Sequence, residues 1–123
     1  MNRFLVVALG GAFGAMSRYA VSLLVARIWT RDFPLATLLI NVSGSFILGF
    51  FATIAAEKTS FDPLWRLLIA TGFVGAYTTF STFEYETQRL TESGALRWGA
   101  LNIMTSVAAG FAAVQLGVFL ARR

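Results

Sequence analysis

The chain has 123 residues, of which 57% are hydrophobic and only 13% charged, with a mean hydropathy of +0.70 and a net charge of +4. Soluble domains typically carry about 25% charged residues, so this chain has too few to cover a water-facing surface. Cysteine and histidine are both absent, which excludes disulfides, thiolate chemistry, the usual zinc, haem and iron–sulfur ligand sets, and Ser-His-Asp or Cys-His catalysis.

The ten basic residues are scattered singly apart from Arg122-Arg123. They read as anchors at membrane edges, and no nucleic-acid partner is expected. Charges used as punctuation leave four segments, at about 4–26, 33–56, 67–89 and 98–121. A spanning helix needs about 17 to 25 mostly apolar residues, and all four qualify. The expectation is an all-α membrane protein, a single domain over 1–123 with four transmembrane helices joined by short connections and embedded in a lipid bilayer.

The first segment carries Gly10 and Gly14 in a GxxxG pattern, with Gly11 and Ala15 as a second small pair. Such pairs permit close helix approach, and packing is the preferred reading for them. Arg18 follows one turn later on the same face. An arginine inside a span costs about 2.5 to 3.5 kcal/mol on the insertion scale unless it is paired, hydrated or near an interface. A cleaved signal peptide is disfavoured here by Arg18 and by the lack of a small-residue cleavage site. In the second segment Thr37, Asn41 and Ser45 recur every four residues, so their polar groups share one stripe. They serve either as hydrogen-bonding glue between helices, at about 0.6 kcal/mol each, or as the wall of a polar pathway with the Asn41 amide as an anion donor.

The third segment contains GFVGAYTTFSTFEYE at 72–86. Gly72, Gly75 and the consecutive Thr78 and Thr79 weaken a helix, so a break near its middle is expected. Carbonyls freed there at membrane depth must be satisfied by protein, water or a bound cation. Phe80 and Phe83 stand at i and i+3 and share a face. Phenyl rings have positive edges, which attract an anion without a full charge that would trap it; two phenylalanines at this spacing are otherwise far more often packing. The fourth segment adds Asn102, Thr105 and Ser106 as a second polar stripe.

Four spans place Arg3, Lys58, Arg66, Arg122 and Arg123 on one side, five in all, and Arg27, Arg31, Arg89 and Arg97, four in all, on the other. Five against four hardly decides an orientation. It is compatible with a weak bias and equally with a chain that inserts both ways and pairs antiparallel, which would supply from two copies the inverted symmetry that larger transporters encode in one.

GGAFGAMSRY at 10–19, NVSGSFILG at 41–49 and above all GFVGAYTTFSTFEYE at 72–86 resemble the Fluc fluoride-channel family, also called CrcB, along the whole chain. The resemblance implies a passive fluoride channel, not an enzyme, in a bacterial-type cytoplasmic (inner) membrane, exporting cytoplasmic fluoride as an antiparallel dual-topology homodimer. It implies a structural Na⁺ on the dimer axis held by the Gly75 and Thr78 carbonyls. It places Phe80, Phe83, Asn41, Ser81, Thr79 and Thr82 along the fluoride path, with Arg18 at a vestibule and Glu86 near the pore end. Asn102, Thr105 and Ser106 do not map onto one family pattern, and Tyr77 stands where some members have glycine. Two other classes are a proton-coupled small-cation multidrug exporter of four-span dual-topology type and a non-transporting membrane assembly subunit. The exporter would want a carboxylate deep in a helix, whereas Glu84 and Glu86 come late in the third segment.

Overall fold

The computed structural model describes residues 2–58 and 60–123. Helix α1 spans Arg3–Ile28, opened by the Asn2 side-chain oxygen, which accepts the Phe4 N–H at 2.9 Å. The loop to α2 is pinned by the Trp29 indole N–H, which donates to the Phe33 carbonyl at 2.7 Å, and Pro34 leads into α2 at Leu35–Glu57. Helix α3 covers 63–77. Asp62 caps it by accepting the Leu64 N–H at 2.9 Å, and Pro63 takes the first position, where its missing N–H costs nothing. It then widens into a π-helix over Leu67–Val74 and returns to α geometry over Gly75–Tyr77. Thr78 and Thr79 are extended, with φ/ψ of −77/157° and −150/108°. Helix α4 follows at Phe80–Glu92, and α5 at Leu96–Ala121. Gly94, at φ +80°, makes the turn between them, with its N–H on the Thr91 carbonyl and that of Ala95 on the Leu90 carbonyl. Such a left-handed residue after a helix end favours glycine.

Among the described residues three helices, α1, α2 and α5, are long and apolar enough to cross a membrane. The fourth expected span is the broken α3–α4 pair. It is helical beyond the expected 67–89 at both ends, because Asp62-Pro63 starts it early and the polar tail to Glu92 runs on past Arg89.

Close glycine contacts set the packing. Gly10 and Gly14 of α1 lie against the backbone of α3, where an added Cβ would run into the carbonyls of Leu68 and Phe73. Gly72 answers from α3, with room for a Cβ only 2.9 Å from the Val7 carbonyl. The expected GxxxG packing role is therefore seen. On the other side Gly49 of α2 and Gly117 of α5 oppose each other; a Cβ on Gly49 would sit 2.6 Å from the Val114 carbonyl, and one on Gly117 2.8 Å from the Phe50 nitrogen. The Glu57 carboxylate accepts from Arg122 at 2.8 Å where α2 and α5 end together. Thus α1 and α3 run parallel, α2 and α5 run parallel, and the two pairs are mutually antiparallel. Large apolar side chains point outward instead of inward, Phe13 being 61%, Phe111 65% and Met104 69% exposed, while Asn102 is 1% exposed. This is the arrangement hydrocarbon favours as solvent, with small and polar groups at helix contacts.

Candidate functional site: a groove at the helix break

The break between α3 and α4 is held from α2. The Asn41 side-chain oxygen accepts the Thr79 N–H at 2.8 Å, and its amide nitrogen donates to the Thr79 carbonyl at 3.1 Å. A side-chain amide thus stands in for the peptide partner that Thr79 loses by leaving the helix. Thr79 also caps α4: its hydroxyl accepts the Thr82 N–H at 3.3 Å and donates to the Thr82 hydroxyl at 2.8 Å. Gly44 lies beside the break, and a Cβ there would collide with the Thr78 methyl. Tyr77, only 8% exposed, stacks on Phe73 with centroids 5.6 Å apart and shares a 2.9 Å hydrogen bond with the Ser43 hydroxyl.

These exchanges have a consequence for two carbonyls. In an unbroken helix the Thr79 N–H would go to Gly75 and the Thr82 N–H to Thr78. Here the first goes to Asn41 and the second to the Thr79 hydroxyl. Gly75 and Thr78, the positions expected to hold Na⁺, therefore both lose their helical donors. Gly75 is moreover exposed, on the side of α3 away from the rest of the chain. Unwound carbonyls of this kind suit a hard monovalent cation.

Beside the break runs a groove of about 280 Å³ between α2, α4 and α5, lined by Asn41, Ser45, Thr79, Phe80, Phe83 and Ser106. The two phenyl rings lie 5.8 Å apart, tilted by 49°. Phe83 is 7% exposed and packed, whereas Phe80 is 73% exposed and forms an open wall. One hydrogen of the Asn41 amide is committed to Thr79, leaving the second for whatever the groove holds.

The structure separates the remaining expected residues. Ser81 and Thr82 are exposed on the first turn of α4 and do not line the groove. Glu86 lies six residues beyond Phe80, where its Oε1 accepts from the Thr37 hydroxyl at 3.0 Å and its Oε2 is enclosed without a partner among the described residues. Arg18 is half-buried on α1, with its carbonyl accepting from Ser22. The polar stripe on α5 splits three ways. Asn102 donates to the Thr87 hydroxyl at 2.9 Å, Thr105 turns to a separate cavity and to its own helix, and Ser106 alone reaches the groove. Ser45 also lines the groove; its place on the stripe with Asn41 was the available signal. Tyr77–Ser43 and Gly44 had no signal in spacing, since their roles depend on which face of α2 meets the break.

The chain matches the family described as "CrcB-like protein, Camphor Resistance (CrcB)" over residues 5–118. A protein of Acidobacterium capsulatum named fluoride-specific ion channel FluC is 47% identical over 98% of this chain and 97% of its own length. Proteins of the same name from Solibacter usitatus and a Sulfurihydrogenibium species are 42% and 43% identical over 98% and 99% of this chain.

Proposed function

Since the chain belongs to the CrcB-like family, we propose that it conducts fluoride passively through the groove at the helix break, and that in cells it lets cytoplasmic fluoride leave. The observation that carries this reading is the convergence of the Asn41 amide, the Ser45 and Ser106 hydroxyls and two tilted phenyl rings on one groove at the helix break. Fluoride is small and strongly hydrated, so a conducting path must replace its water with donors and hold it weakly enough to let it go. Amide and hydroxyl donors do the first. Ring edges do the second, being positive without carrying a unit charge. No proton acceptor or nucleophile is involved.

The groove is open on the Phe80 side, and a second copy running antiparallel closes it in this reading. The exposed Gly75 face supports the same pairing, since two copies meeting there bring both pairs of unpartnered carbonyls together. Gly75 and Thr78 would hold a Na⁺, which supplies positive charge to those carbonyls and ties the copies to each other. Arg18 then serves as an anion-collecting charge near one mouth, and Glu86 with Thr37 as a polar pair toward the end of the path.

Proteoliposomes loaded with fluoride test the proposal. Purified protein should release fluoride down its gradient while retaining chloride. Proton-coupled cation exchange in place of that release would assign the fold to export of small cations, and the absence of any flux would leave an assembly role.

A further inference from the structure

A second cavity lies away from the groove, at the membrane edge carrying Arg27, Arg31, Arg89 and Arg97. It measures about 470 Å³, between the loop that follows α1 and the facing first halves of α2 and α5. Its deep wall is formed by Leu38 and Leu101, and its rim by Trp29, Trp98, Arg31 and Asp32. Trp98 packs on Phe33 with centroids 5.9 Å apart, and the Arg31 guanidinium stands 5.7 Å from the Trp29 ring centroid. Tryptophans favour the headgroup level of a bilayer, and basic pockets between spanning helices favour lipid phosphate.

Arg31 and Asp32 are adjacent, opposite in charge and exposed, yet they form no ion pair; among the described residues the one ion pair is Arg122–Glu57. A ligand matching this rim carries an anion and a cation one short bridge apart, with hydrocarbon continuing inward. We propose that this cavity binds phosphatidylethanolamine, its phosphate on Arg31, its primary ammonium donating to Asp32, and an acyl chain against Leu38 and Leu101. Phosphatidylcholine presents a quaternary ammonium with no N–H to give Asp32, and phosphatidylglycerol no cation at all. The same loop also borders a cavity on its other flank with Glu86, Arg89 and Ser93. Arg31 and Asp32 border that one too, but Ser22, Glu86, Arg89 and Ser93 among its apolar residues make it the more polar of the two.

The chain's three tryptophans make the site readable. Trp65 is remote, at the start of α3, so Trp65→Phe leaves Trp29 and Trp98, both lining the cavity. This variant is reconstituted in phosphatidylcholine bilayers containing a minor fraction of acyl-brominated phosphatidylethanolamine, phosphatidylcholine or phosphatidylglycerol, and tryptophan quenching is compared. Brominated phosphatidylethanolamine should quench in excess of the other two, and the excess should be lost in both Arg31→Gln and Asp32→Asn. Equal quenching by all three lipids overturns the proposal, as does stronger quenching by phosphatidylglycerol, or an excess that survives either substitution. If the arginine variant fails to reconstitute, Asp32→Asn alone decides. The readout uses no ion gradient, so its result is independent of fluoride conduction.

Discussion

At the scale of single residues, the groove sets two kinds of side chain against each other. Phe80 and Phe83 differ about tenfold in exposure, at 73% and 7%. If both only filled space, isoleucine would replace them at under about 1.5 kcal/mol of stability where repacking is possible. If their positive edges stabilise an anion, isoleucine leaves an apolar barrier, and even about 1.4 kcal/mol there slows passage tenfold. Phe80→Ile and Phe83→Ile should each cut fluoride efflux at least tenfold while the protein still purifies as an ordered species; undiminished efflux from both would return the rings to packing. Asn41 works differently, because both of its ends are used on Thr79. Asn41→Ala strands a buried N–H and a carbonyl, at about 1–3 kcal/mol for each group. Melting of the purified variant should therefore fall along with flux, and full thermal stability would show that the clip carries little weight.

Among the helices, the break is a contract between elements. The π-helical stretch Leu67–Val74 and the glycine contacts of α1 seat α3, and α2 then catches the chain at Thr79. Two glycines should respond differently to the same alanine substitution. At Gly14 the added Cβ meets the Phe73 backbone carbonyl, which cannot rotate away, so Gly14→Ala should lower stability by about 1–3 kcal/mol. At Gly44 the obstacle is the Thr78 methyl, which a rotamer change can relieve at the cost of disturbing the break. Gly44→Ala should thus lose more flux than stability, measured on one preparation by efflux and thermal melting; the opposite ranking would mean that the break tolerates movement of Thr78. Four helical stretches, three of them long and apolar enough to cross a membrane, were legible from charge spacing, since charges are excluded from hydrocarbon wherever they lack partners. The break was legible as a weakness over 72–79 near the middle of the third segment, where it is found, but the element that holds it was not. Gly72 is used for contact with Gly10 and stays helical, while the chain departs at Thr78 and Thr79, where a side chain from a different helix replaces the ladder. The α5 stripe failed for a related reason: Asn102, Thr105 and Ser106 are close along the helix, yet α4, a separate cavity and the groove take one each.

For the molecule as a whole, near balance of charge and one open side lead to the same expectation. One edge carries five basic residues and the other four, and Arg122 on the richer edge is already paired with Glu57. A cysteine introduced at Lys58, in an exposed connection, should be labelled in whole cells by membrane-impermeant reagent in about half the molecules, with the rest reacting only after permeabilisation. Labelling confined to one side would rule out an antiparallel pair formed from both orientations. The cation prediction belongs to the pair as well. If Na⁺ joins two copies at the Gly75 and Thr78 carbonyls, exchanging it for a much larger monovalent cation should weaken assembly or flux, whereas Na⁺ movement in proportion to fluoride would make it a coupled substrate. The parallel pairing of α1 with α3 and of α2 with α5 bears also on how the chain is made. Neither of the first two helices meets its main partner in the neighbouring hairpin. The Gly49 face of α2 waits until Gly117 has been translated, with 64 residues separating the end of α2 at Glu57 from the end of α5 at Ala121. At about 5–20 residues per second that delay is roughly 3 to 13 s. A nascent chain stalled before its last helix has no Ser106 wall, so an unfinished copy in the membrane lacks one side of the groove.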